Sequence, residues 1–293
     1  MRKGKSHPNY ANFFISVATV KYQLIIWPMN FVTQRGSIIF YEEFGSPTNP
    51  PLLLIHGSTL TGNADFCVES NIAQRFAKDY RVIVPDCPGH GKSPAEWLSE
   101  NMPRYSFTSM AADLAELLLG LNAAPAFVFG HSNGGTVALY MAKEQSQQVR
   151  AAILLAANAY IDEHIRTRVP IGMDAERVAR EEQQWLDEMI RLHDVHQGEG
   201  YWRQLLAATV TETITNPDWQ QADLQHVQVP CLCVQGENDR VNVPGRHAQT
   251  LAAWLPNSQL WLPAGIGHSV HWEIPDTFEQ RARAFFAQGI QEK

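Results

Sequence analysis

Apolar residues fall in short unbroken runs along the chain: "PLLLIHG" (51–57), "RVIVPDC" (81–87), "AFVFGHS" (126–132), "RAAILLAAN" (150–158) and "CLCVQG" (231–236). Runs that do not alternate with polar residues predict strands covered on both faces, as in a parallel sheet. Two earlier stretches, "FVTQ" (31–34) and "SIIFYEEFG" (37–45), predict a hairpin turning at Arg35-Gly36, and "SQLWLP" (258–263) predicts a last strand. Between the runs the period changes to that of helices. Examples are "FTSMAADLAELLLGLN", "GGTVALYMAKEQ", "GRHAQTLAAWL" and "PDTFEQRARAFFAQ". Alternating strand and helix define the α/β class.

One segment breaks the alternation. Residues 159–227 hold no strand-like run and read as helical pieces, among them an amphipathic "AERVAREEQQWLDEMIRL" and "GYWRQLLAATVTETI". The pattern predicts a core made of 27–158 and 228–293 with a helical lid, 159–227, inserted in it. Residues 1–26 begin basic and continue apolar, but Lys21 interrupts them and no convincing cleavage site follows. They read as a poorly ordered extension, or as sequence upstream of the natural start.

Composition narrows the function. The 293 residues are 45% hydrophobic and 18% charged, the balance of a chain with a sizeable core. A net charge of −7 without a basic face speaks against nucleic acid as a partner. No apolar stretch is long enough for stable membrane insertion. Cys231 and Cys233 lie two apart on one strand and point the same way, a poor geometry for a mutual disulfide. With Cys67 and Cys87 they read as free thiols in a reducing compartment, so the expected location is cytoplasmic. No cysteine or histidine spacing suggests zinc or another metal.

The chemistry centres on "GHSNGG" (130–135). Ser132 sits where a strand run gives way to a helix pattern, with Gly130, Gly134 and Gly135 around it. A helix cap would not need small residues on both flanks, whereas a nucleophile elbow does. Asp239 and His268 each fall in a loop after a later strand, so all three can meet at one sheet edge. The order Ser132, Asp239, His268 suits a serine nucleophile, an orienting acid and a general base. Glu237 is a rival for the acid.

These motifs together resemble the α/β-hydrolase fold superfamily over about residues 31–288. "LLLIHGS" resembles its His-Gly-x motif, and "PDCPGHGKS" its Asp-x-x-Gly-x-Gly-x-Ser turn. The resemblance implies a mostly parallel eight-stranded sheet flanked by helices, a lid after the sixth strand, and no cofactor. It implies an oxyanion hole formed by the backbone N–H groups of Ser58 and Asn133. Some members of the superfamily take the acid after the sixth strand, a position that here lies near Asn158, which cannot carry the charge. The Asn133 side chain is expected to pack or cap the helix rather than touch substrate. His56, His90 and His131 are expected to satisfy local hydrogen bonds, Asp86 and Ser93 to hold their turn, and Glu273 to brace the start of the last helix. The direction of His271 is open. Of the large side chains in the insert, Trp185, Trp202 and Tyr160 are candidates for a substrate pocket, although lid core is the plainer expectation for each.

The expected activity is hydrolysis of a small to medium carboxylic ester or lactone through an acyl-enzyme. Carbon–carbon bond hydrolysis or perhydrolysis on the same residues is the alternative, and a ligand-binding protein on the same scaffold the third reading. An Asp where Ser132 stands would have pointed to haloalkane dehalogenases or epoxide hydrolases. "HGSTLTG" also lacks the His-Gly-Gly-Pro-Gly of proline-releasing peptidases.

Overall fold

The computed structural model describes residues 29–95, 105–243 and 245–288. The expected extension, 1–26, lies outside them. Eight strands form one sheet in the order β1-β2-β4-β3-β5-β6-β7-β8. They are β1 Met29–Val32, β2 Ile38–Phe44, β3 Pro51–Ile55, β4 Arg81–Pro85, β5 Ala126–His131, β6 Val149–Leu155, β7 Cys231–Val234 and β8 Ser258–Trp261. Strands β1 and β2 pair as an antiparallel hairpin, and β2 runs antiparallel to β4. The remaining pairs, from β4 to β8, are parallel. The hairpin turns at Gly36, whose φ of +93° is open to glycine at little cost.

The unbroken apolar runs are explained by burial on both faces. Leu53 and Ile55 of β3 join a cluster on one side of the sheet, with Val128, Leu154 and the helices Phe107–Gly120 and Asn133–Glu144. Their neighbours Leu52 and Leu54 join a second cluster on the other side, with Phe129, Ile153 and the helix Pro275–Gln288. A fully buried side chain of this kind stabilises the fold by roughly 1.5–3 kcal/mol. Cys231 and Cys233 face the first cluster and Leu232 and Val234 the second, as the two-residue period requires. Both thiols are free and buried. Strand β6 ends at Leu155, earlier than its apolar run, because Ala156 turns to φ +54° and its carbonyl accepts from the Asn242 side chain.

A helical insert separates β6 from β7. The stretch 175–192 is not one helix, as its pattern suggested. It breaks at Glu182, whose φ of −124° and ψ of 53° divide Ala175–Glu181 from Gln183–Met189. The break lets Val178 and Met189 pack on one small cluster with Trp202 and Leu206 of the helix Tyr201–Thr213. Asp162 and Asp174 cap their helices by accepting from the N–H groups of Ile165 and Arg177. Among the described residues no helix is long and apolar enough to cross a membrane.

Candidate active site

Strand β5 ends at His131 and the helix Asn133–Glu144 begins one residue after Ser132. Ser132 lies between them at φ 56° and ψ −122°, a conformation that costs energy for any residue with a side chain. The glycines around it are dictated by contact. A Cβ on Gly130 would lie 2.0 Å from the carbonyl oxygen of Gly134, and one on Gly134 would lie 2.2 Å from that of Ile55. Both obstacles are backbone and cannot turn aside. Gly130→Ala is therefore expected to cost about 1–3 kcal/mol or more. The readout is a thermal melt, and an unchanged Tm would refute it.

The loop after β8 brings His268 to Ser132, with Nε2 3.0 Å from Oγ. The loop after β7 brings Asp239 to the other side of the ring, with both carboxylate oxygens 3.0 Å from Nδ1. Asp239 is buried and also accepts from the N–H groups of Val241 and Asn242 and from the Gln235 amide. Burial alone would raise its carboxyl. The His268 N–H and its positive potential, with the two backbone N–H groups, bring it below its ordinary value. The rival acid Glu237 is exposed and accepts from the Gly265 N–H instead. Asn158 is buried, with its backbone N–H on Thr136 Oγ1.

Ser58 and Asn133 come together in the wall of one small cavity, with His56, Cys87, His90 and Tyr105. Its free space of about 10 Å³ is close to that of one water molecule. His56 stiffens this wall. Its Nδ1–H donates to the Gly57 carbonyl at 2.8 Å and its Nε2 accepts from the Cys87 N–H at 2.9 Å. Burial lowers the His56 pKa, in keeping with a neutral ring in this structural place. The Asn133 side chain is tied to the insert. It donates to Thr213 Oγ1 of the insert at 3.0 Å.

The turn after β4 is held as expected. Asp86 accepts from the N–H groups of Gly62 and Lys92, and Ser93 bridges the Asp86 carbonyl and the Phe40 N–H. Glu273 does something other than brace the last helix. Its carboxylate accepts from the Gly267 N–H at 2.9 Å, next to His268, and so steadies the loop that carries the imidazole. Of the three side chains expected near a pocket, none lines the cavity at Ser58 and Asn133. Trp202 is buried in the insert's own cluster with Val178, Met189 and Leu206. Tyr160 packs on His247 and Trp254. Trp185 packs against the insert cluster and donates its Nε1–H to Thr59 Oγ1 at 3.3 Å.

The insert is fastened to the loops around the site. His193 accepts from the Gly91 N–H through Nδ1 and donates to the Thr59 carbonyl through Nε2. Burial holds its pKa down at about 4, which keeps the ring neutral and both bonds intact. Gln197 donates to the carbonyls of Gly91 and Ser93, and Tyr201 to that of Gly89.

Two polar residues at the site carried no mark in the sequence. Gln235, the last residue but one of an apolar run, donates to Asp239. Asp65 lies in a one-turn π-helical segment, Ala64–Val68, and is buried against His131, His271 and Trp272. Among the described residues, Asp65, His131 and His271 also form a trio with ligand atoms within 4.8 Å of one another.

Residues 52–281 match the model of the alpha/beta hydrolase family, and the chain belongs to it. It is 27% identical over 274 residues to a non-heme haloperoxidase of Rhodococcus erythropolis, covering 85% of this chain and 96% of that one. It is 25% identical over 285 residues to a bifunctional esterase/perhydrolase of Acinetobacter calcoaceticus, covering 88% of this chain and 99% of that one. The solved meta-cleavage product hydrolase of Pseudomonas fluorescens superposes with a TM-score of 0.68 at 20% identity, covering 89% of this chain and 97% of that one.

Proposed function

We propose that this chain is a serine hydrolase that cleaves small to medium carboxylic esters or lactones through an acyl-enzyme. The observation that carries the reading is the hydrogen-bonded line from Ser132 Oγ through His268 to Asp239. In the first half-reaction Ser132 Oγ attacks the carbonyl carbon as His268 Nε2 takes its proton. Asp239 keeps Nδ1 protonated and stabilises the imidazolium that forms. The N–H groups of Ser58 and Asn133 receive the developing oxyanion, each worth roughly 3–4 kcal/mol in such chemistry. His268 then protonates the leaving alkoxide, takes a proton from water and lets hydroxide release the acid.

Residues 159–227 serve as the lid in this reading. Their contacts to Thr59, Gly91 and Asn133 support that role, since each touches a loop beside the site. Four free cysteines support a cytoplasmic location.

Perhydrolysis is the second reading, favoured by the names of the haloperoxidase and esterase/perhydrolase relatives. Likeness to the meta-cleavage product hydrolase, at 20% identity, bears on the fold alone. The test has two parts. A fluorophosphonate should label the wild-type protein at Ser132 and leave Ser132→Ala unlabelled. A panel of acyl esters and lactones, run with and without peroxide and acetate, should yield acids as products. Peracid as the dominant product would favour the second reading, and absence of labelling would refute both.

A further inference from the structure

Behind the line of Ser132, His268 and Asp239 lies a second buried carboxylate, tied to the same loops. Asp65 Oδ2 accepts from the Gly57 N–H at 2.9 Å and from His131 Nδ1–H at 2.9 Å. Its Oδ1 accepts from His271 Nε2–H at 2.7 Å and Trp272 Nε1–H at 3.0 Å. Gly57 precedes Ser58, and His131 precedes Ser132. On its far side His131 Nε2 meets Ser269 Oγ at 3.3 Å, and Ser269 follows His268. An Asp–His–Ser chain thus runs from Asp65 through His131 to Ser269, interleaved with the first. Two of its links sit one residue from a link of the other line: His131 beside Ser132, and Ser269 beside His268.

The loops meet closely as well. A Cβ on Gly57 would lie 3.1 Å from His131 Nδ1 and 3.3 Å from Ser132 Cβ. The Asp65 carboxylate is fully buried, so its charge and its four N–H donors are not shared with water. Burial alone would raise its pKa, and the two imidazoles hold it well below the usual carboxylate range. Each oxygen already accepts two N–H bonds, two of them from Gly57 and Trp272, which cannot ligate a metal. The trio with His131 and His271 is therefore read as a hydrogen-bonding hub.

We infer that Asp65 is a positioning residue: one buried carboxylate sets the oxyanion loop, the nucleophile elbow and the imidazole loop in mutual register. The inference rests on the serine-hydrolase reading above. It makes a specific demand on substitution. All four partners donate, so an amide at this place must turn its NH₂ toward either Gly57 or Trp272. One N–H then faces another donor, and the register slips.

The experiment compares Asp65→Asn, Trp272→Phe and Ser132→Ala on 4-nitrophenyl acetate, with the melting curve of each. Asp65→Asn should lower kcat roughly 10- to 100-fold with KM changed by less than about threefold, as misplaced groups do. Trp272→Phe removes one of the four donors but leaves the carboxylate and its other three bonds in place, so its loss of kcat should be at least about threefold smaller than that of Asp65→Asn. Wild-type kcat in Asp65→Asn, with Ser132→Ala inactive, overturns the inference and leaves the hydrolase reading standing. Equal losses in Asp65→Asn and Trp272→Phe also overturn it, since they mark general loosening. Full activity in Ser132→Ala overturns the hydrolase reading and the inference with it. If Asp65→Asn does not fold, His131→Asn and His131→Leu take its place. The asparagine keeps a donor near Nδ1 and should retain most of the kcat that the leucine loses, and equal rates in the two refute the inference.

Discussion

Ser132→Ala is expected to lower kcat for 4-nitrophenyl acetate by about 10⁴- to 10⁶-fold, the range seen when a nucleophile that works as a unit with its base is removed. The argument is geometric. Oγ is held 3.0 Å from His268 Nε2 by an elbow whose φ is positive. No other described hydroxyl or thiol shares that position. Ser269 is the nearest in sequence to the imidazole, but its Oγ is turned toward His131. The residual rate should come from the Ser58 and Asn133 N–H groups and from binding. Removing Oγ takes away few contacts, so the Tm should change by no more than about 2 °C. A rate within tenfold of wild type would sink the assignment.

Asp239→Asn is expected to cost about 10⁴-fold in kcat. The carboxylate has both oxygens at 3.0 Å from His268 Nδ1 and so demands a proton there, which leaves the lone pair of Nε2 facing Ser132. An asparagine can present its NH₂ to Nδ1 instead. The proton then moves to Nε2 and the ring can no longer accept from Oγ. The change also bears on stability. The Asp239 carboxyl has its pKa lowered in the fold, so its ionised form contributes stability above the unfolded value, lost as pH falls through the folded one. Measured by thermal melts, wild type should lose stability relative to Asp239→Asn below about pH 4. Parallel pH profiles for the two proteins would contradict this.

Much of this architecture can be read from the chain because its signals are local. Buried strands need continuous apolar runs, which β3 to β7 show, β1 and β2 carry the hairpin pattern, and the half-exposed edge strand β8 has only the short "SQLWLP". Ser132, Asp239 and His268 are legible because each follows a run, and strand ends in a parallel sheet share one edge. The parts that escaped are those decided by tertiary contact. Asp65 stands alone in "NADFCV", and nothing local marks it as the partner of residues 66 and 206 positions away. Glu273 was placed by its nearness to the last helix, yet its carboxylate reaches back to Gly267. The amphipathic stretch 175–192 keeps helical period across Glu182, and only packing on Trp202 and Leu206 accounts for the kink.

The fastening of the insert has a consequence for motion. His193, Gln197 and Tyr201 together hold Thr59, Gly89, Gly91 and Ser93. The Gly91 amide hydrogen is locked on His193 Nδ1 and cannot exchange with solvent until that bond breaks. Amides of the insert and that of Gly91 therefore belong to one cooperative opening unit. Their deuterium uptake should rise together, well before β3 and β5 begin to exchange.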